Sequence, residues 1–417
     1  MEFSEDIVKL LEEHFPGKDI YNMSLDELKK FKEEVTILRQ EFWLLEMACK
    51  LLGNAAYGAA ANAWFYFYNI SLAGDITGEC RNLTQTMNKN LIEWFHEGIW
   101  ERKDLWEKFD FALDESKHDW YREQPVWIYS DTDSSYVTYG AFFKAMTPEY
   151  QKKYESDEAK LKWILKYNQE FQDSLNTKWC EDIYNPRHGN SIHNFELETV
   201  SKAGIYLAKK KYLKGLVFNK GKFINPPKVS GTGIELIKST TPKLCRKILK
   251  NLMESLMFDF DDSTPEKREE YIMAFNEKLS EYRKEFYNAP IEDISQSIGV
   301  GAYKKYVIDD EINLVLGKQC PVSVQSVARF NYLAHKNGDD SKKFYSGKIK
   351  YYNIRTGLGK DDTGYFGFPA GELPDWAPKM DKLTQWQKTV IDPINRFLEV
   401  VNIPLVNASN VVQLELF

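Results

Sequence analysis

The sequence predicts an α+β protein, with helical segments and antiparallel strand pairs set apart along the chain. Three observations point there. Phe31, Val35, Leu38, Phe42, Leu45, Cys49 and Leu52 recur in steps of four and three, the apolar stripe of one long helix. Residues 125–139 read as strand, turn, strand, with Pro125 before the first apolar run and Gly140 after the second. Residues 195–225 alternate in strand fashion.

The remaining elements follow in order. Ser24, with Glu27 three residues on, has the form of a capping box and starts the long helix. The Ala-rich stretch 55–63 permits close backbone packing, and residues 64–100 are helical in composition and rich in Trp and Phe. Residues 141–185 look helical and charged. Ser239-Thr240-Thr241-Pro242 opens another helix, which Leu244, Ile248, Leu252 and Leu256 continue. The last 120 or so residues mix short strands, Gly/Asp loops and a helix around 384–401.

The 417 residues are enough for two or three domains. With 43% hydrophobic and 28% charged residues, the chain is globular, not disordered or fibrous. No run approaches the ~20 apolar residues of a membrane span, so no membrane partner is expected. The acidic opening, Met-Glu-Phe-Ser-Glu-Asp, lacks the apolar core of a secretory signal. Cys49, Cys80, Cys180, Cys245 and Cys320 are scattered and form no C-x-x-C pair, which favours a reducing cytoplasm over a disulfide framework or a structural zinc.

Formal net charge is −7, from 55 basic and 62 acidic residues. Its distribution is uneven. Residues 201–250 hold 13 Lys or Arg against the single acid Glu235, so this window carries +12 and the rest of the chain −19. A basic strip on an acidic body is the footprint of a polyanion partner.

Two motifs carry chemistry. In Tyr129-Ser130-Asp131-Thr132-Asp133-Ser134 the two carboxylates are two residues apart, and in an extended segment they would share a face. Close carboxylates repel unless a cation lies between them, and their oxygens suit Mg²⁺. In Lys50-Leu-Leu-Gly-Asn54-Ala-Ala-Tyr57-Gly58, steps of four and three put Lys50, Asn54 and Tyr57 within about 60° on one helical face. The ammonium suits a triphosphate, the ring can lie beside a base pair, and Gly58 is expected to end or bend the helix. The six histidines show no metal-ligand spacing, and Gly231-Thr-Gly233 is too short for a nucleotide loop.

Together these residues resemble family B DNA polymerases, most closely the T-even-phage branch. That family's fingers motif reads K-x-x-x-N-S-x-Y-G, here Lys50 to Gly58 with Ala55 in place of Ser. Its palm motif reads Y-G-D-T-D-S, here Tyr129 to Ser134 with Ser130 in place of Gly. Downstream, Ala208-Lys209-Lys210-Lys211-Tyr212 resembles the K-K-R-Y element that grips the primer–template minor groove. Lys228 to Glu235, Ser239 to Lys243 and Gly367 to Pro374 resemble thumb segments. The likeness covers most of residues 36–417, in the family's order.

The resemblance implies a right-hand polymerase fragment: a helical fingers segment at 1–62, an antiparallel palm sheet within 63–223, and a mainly helical thumb at 224–417. It implies that Asp131 and Asp133 are the catalytic, metal-binding pair for two Mg²⁺ ions. It implies dNTP contacts from Lys50, Asn54, Tyr57, Gly58 and Thr132, and primer–template contacts from Lys209, Lys210, Lys211, Tyr212 and Lys228. The family's first palm motif, D-x-x-S-L-Y-P-S, is not found in the sequence. The expectation is therefore the C-terminal part of a split polymerase, completed by an N-terminal chain with the exonuclease and that motif. The ending Gln413-Leu414-Glu415-Leu416-Phe417 is similar to clamp-binding pentapeptides, which implies a sliding clamp gripped by Gln413, Leu414, Leu416 and Phe417. The phage likeness implies the cytoplasm of a bacterial host. The alternatives are a piece of one longer polymerase chain and, in function, a non-catalytic subunit that binds DNA and tethers a clamp.

Overall fold

The structure, a computed structural model, describes residues 12–179, 195–235, 238–355 and 363–408. Residues 413–417, the expected clamp-binding tail, lie outside the described residues, as do residues 180–185 of the expected charged helical stretch. The chain divides into two units, Met1–Pro148 and Glu149–Phe417. Helices and antiparallel strand pairs make up both, in keeping with an α+β class. Among the described residues, no helix is long and apolar enough to cross a membrane.

In the first unit, α1 (Leu25–Ala61) begins at the expected capping box. The Ser24 N–H donates to the Glu27 carboxylate at 2.8 Å, and the Ser24 side chain accepts from the Glu27 N–H. Gly58 neither ends nor breaks this helix, which runs on to Ala61. A helical glycine costs only about 1 kcal/mol, and three alanines, the best helix formers, follow it. Phe31 is buried, but further along the stripe Phe42, Leu45 and Leu52 are 47%, 62% and 73% exposed.

A short loop closed by the Asn69 N–H on the Ala60 carbonyl leads to α2 (Ile70–Glu93). Asn69 caps α2 by accepting from the Leu72 N–H. Leu83, Met87 and Leu91 form its buried stripe. The unit's core is aromatic: Phe95, Phe111, Tyr121 and Phe142 are fully buried. The Phe142 ring lies 5.6 Å from that of Phe111 and 6.2 Å from that of Phe95. The expected strand–turn–strand is the hairpin of β1 (Trp127–Asp131) and β2 (Ser134–Val137).

In the second unit, α3 (Asp157–Trp179) stacks Trp163 on Tyr167 at 4.8 Å, one turn apart. Strands β3 (Thr199–Ala208), β4 (Lys211–Asn219) and β5 (Lys222–Thr232) form an antiparallel meander. The next helix, α4 (Lys243–Phe258), starts directly after Pro242, as the Ser-Thr-Thr-Pro run predicts. Its buried face, Ile248, Leu249, Leu252 and Leu256, joins a core shared with α5 (Pro265–Asn288) and with α7 (Asp392–Val400), which lies within the helix expected around 384–401. A second sheet, of β6 (Gln296–Val300), β9 (Gly347–Arg355) and β10 (Thr363–Pro369), is backed by α6 (Val322–Lys336). A small hairpin, β7 (Val307–Asp309) with β8 (Val315–Leu316), lies between them in sequence.

Candidate active site

The two aspartates sit at the tip of the β1–β2 hairpin. Asp131 pairs with Ser134 across the strands, which leaves Thr132 and Asp133 as the turn. Thr132 has φ +58°, and the Asp133 N–H donates to the Asp131 carbonyl at 2.7 Å. These are the marks of a γ-turn with a positive central φ, a tight and strained form. The extended geometry that the two-residue spacing assumes therefore breaks at Thr132. What places both carboxylates at the tip is the tightness of the turn, not strand alternation. The Thr132 hydroxyl donates to Asp131 Oδ1 at 3.2 Å, and the Ser134 hydroxyl to the Asp131 carbonyl at 3.2 Å.

Asp131 is half-buried and Asp133 exposed. Two hard oxygen donors on one accessible turn fit part of a Mg²⁺ site. Among the described residues, no group of three or more His, Cys, Asp or Glu side chains gathers as a metal site. The turn thus accounts for two donors of such a set.

The hairpin is bolted to α2 by residues that the motif reading missed. The Thr84 hydroxyl lies 2.6 Å from the Thr132 carbonyl. One turn further on, Asn88 Oδ1 accepts from Ser130 Oγ at 2.9 Å and from Ser135 Oγ at 2.5 Å. Trp127 Nε1 donates to Ser130 Oγ at 2.9 Å. A sequence signal for Thr84 and Asn88 exists. They are polar, four residues apart, and each directly follows a core position, Leu83 and Met87.

Lys50, Asn54 and Tyr57 lie along α1 at the expected spacing and are all exposed, as is Gly58. In the second unit, Lys209 and Lys210 form the two-residue turn between β3 and β4, where Ala208 pairs with Lys211 and Tyr206 with Tyr212. Lys210 has φ +58°. Lys228 on β5 pairs with Leu216 on β4. Tyr212 is buried next to the exposed Lys211, with Leu213 beyond it buried as well, and its ring stacks obliquely on Tyr206 at 5.4 Å.

No protein-family model matches the chain. The chain is similar to the DNA-directed DNA polymerase of Escherichia phage RB69, 22% identical over 363 residues, 84% of this chain. The chain is related to a phage DNA polymerase. It spans 36% of the length of that relative.

Proposed function

We propose that this chain is the C-terminal part of a family B, template-directed DNA polymerase that transfers nucleotidyl groups from dNTPs to a primer 3′ end. The observation that carries this is the Asp131–Thr132–Asp133 turn, which holds two carboxylates at one hairpin tip. Similarity to the phage polymerase over 84% of the chain supports it.

Asp131 and Asp133 would be the metal-binding residues. Bound there with a carboxylate from the completing segment, two Mg²⁺ ions would supply Lewis-acid stabilisation of the attacking 3′-hydroxyl and the leaving pyrophosphate. The Thr132 hydroxyl steadies the Asp131 carboxylate at the contact it already makes. Lys50 and Asn54 would hold the triphosphate, and Tyr57 with Gly58 would border the nascent pair. Lys209 and Lys210 of the turn, with Lys211 and Lys228 on the strands, would neutralise duplex phosphates without reading sequence, and Tyr212 would support them from below through its packing on Tyr206.

The completing segment, carried on a second polypeptide or on a longer form of this chain, would bring the exonuclease and the D-x-x-S-L-Y-P-S motif. The uncovered apolar stripe of α1 supports such a partner. Residues 413–417 would dock on a sliding clamp, and the setting would be the cytoplasm of a bacterial host. Fingers, palm and thumb would divide at about 62 and 223, as read from the motifs. The test is primer extension by the purified chain mixed with a polypeptide bearing the missing motif. Extension by the mixture but by neither component supports the reading. Extension by this chain alone contradicts the split arrangement, and no extension by any mixture contradicts the enzyme.

A further inference from the structure

The turn that bears Asp131 and Asp133 is short, strained and at the end of a two-stranded hairpin. Such hairpins are marginal unless something packs on them. The hydrogen bonds of the described residues identify what holds this one. Ser130 and Ser135 face each other across β1 and β2, with their hydroxyl oxygens 3.1 Å apart. Both hydroxyls reach Asn88 Oδ1 on α2.

The protons of this cluster can be assigned without conflict. Trp127 Nε1–H donates to Ser130 Oγ, Ser130 donates its one proton to Asn88 Oδ1, and Ser135 does the same. One amide oxygen therefore joins both strands to the helix. The neighbouring tie is weaker in this respect. The Thr84 hydroxyl has one proton and two acceptors, the Thr132 carbonyl at 2.6 Å and its own helix's Cys80 carbonyl at 2.9 Å. Strand alternation explains why the clip does not consume the carboxylates. With Ser130 turned to α2, Asp131 points to the other face.

Ser130 occupies the position where the resembled palm motif has glycine. A glycine there would leave Asn88 with one strand to hold and Trp127 without its acceptor. The substitution is thus a built-in fastener and not a neutral exchange of small residues.

We propose that Asn88 is a positioning residue for the Asp131–Asp133 turn, acting through the hydroxyls of Ser130 and Ser135. The proposal rests on the reading of that turn as a cation site. Outer contacts that orient a metal ligand are worth about 10–100-fold in metal affinity.

The experiment is a terbium(III) titration of the full chain, read by luminescence sensitised through Trp127 and Tyr129. Asp133→Asn reports on the cation site itself. Asn88→Ala is expected to raise the half-saturating terbium concentration about 10–100-fold, while circular dichroism shows the fold retained. In a Ser130→Ala/Ser135→Ala background, Asn88→Ala should add almost nothing, because its partners are gone. A general loss of folding would not give that non-additivity. If Asn88→Ala does not fold, Ser130→Gly, which removes a single hydroxyl, carries the same test with a several-fold shift. A terbium signal lost in Asp133→Asn but unmoved by Asn88→Ala, or moved equally in both backgrounds, overturns the positioning role and leaves the cation site standing. A signal indifferent to Asp133→Asn overturns the cation site, and the positioning role with it.

Discussion

A β-carbon on Gly233 would stand 2.0 Å from the carbonyl oxygen of Lys210. Gly233 has φ +66°, so it is glycine for two reasons, conformation and contact. The segment after β5 packs directly under the lysine turn and is pinned further on, where Glu235 accepts from Arg396 at 2.9 Å. The Gly-Thr-Gly run that is too short for a phosphate loop is therefore a buttress for a basic turn.

Gly233→Ala should destabilise the second unit by at least about 2 kcal/mol, since left-handed backbone alone costs an alanine roughly 1–2 kcal/mol. At about 2–4 °C per kcal/mol, the melting temperature should fall by several degrees. Gly221→Ala is the control. It has φ +78° but nothing within 4 Å of its β-carbon, so it meets only the conformational cost. Equal melting shifts for the two variants would dismiss the buttress.

Lys210→Ala should weaken binding of primed duplex DNA alike for all sequences. It should also flatten the dependence of log K on log salt by about 0.9, one released counterion. The check is a fluorescence-anisotropy titration at several salt concentrations. An unchanged slope would mean that this lysine does not meet phosphate.

Leu45→Glu and Leu52→Glu should leave the melting temperature nearly unchanged, within about 0.5 kcal/mol, because both side chains are exposed on α1. Sedimentation of the full chain should show concentration-dependent association in the parent and monomers in the variants. Loss of the fold in either variant, or association that persists, would count against an uncovered docking face.

The sequence made the local features legible and left the distant ones dark. The Ser24–Glu27 capping box and the β1–β2 hairpin each depend on neighbours within a few residues, and each forms where the pattern predicts. The Lys209–Lys210 turn instead interrupts a stretch that alternation reads as strand. The γ-turn was hidden because alternation assumes extended backbone, and Thr132 adopts a positive φ instead. Gly58 signals a helix end by propensity, yet the alanines that follow carry α1 on. Asn88 was hidden because its partners are 42 and 47 residues away. A polar residue beside a core stripe reads as solvated face until the strand it fastens is placed.

The most direct measurement is the rate of single-nucleotide primer extension by the completed enzyme carrying Asp133→Asn, set beside its affinity for the same primer–template. Loss of a carboxylate that holds a catalytic cation removes several kcal/mol of transition-state stabilisation, about two to three decades or more in rate. DNA affinity, which the proposed function assigns to the lysines of the second unit, should change less than about twofold. That separation of rate from affinity is the expected result. An Asp133→Asn enzyme that extends primers at close to the parent rate would contradict the account.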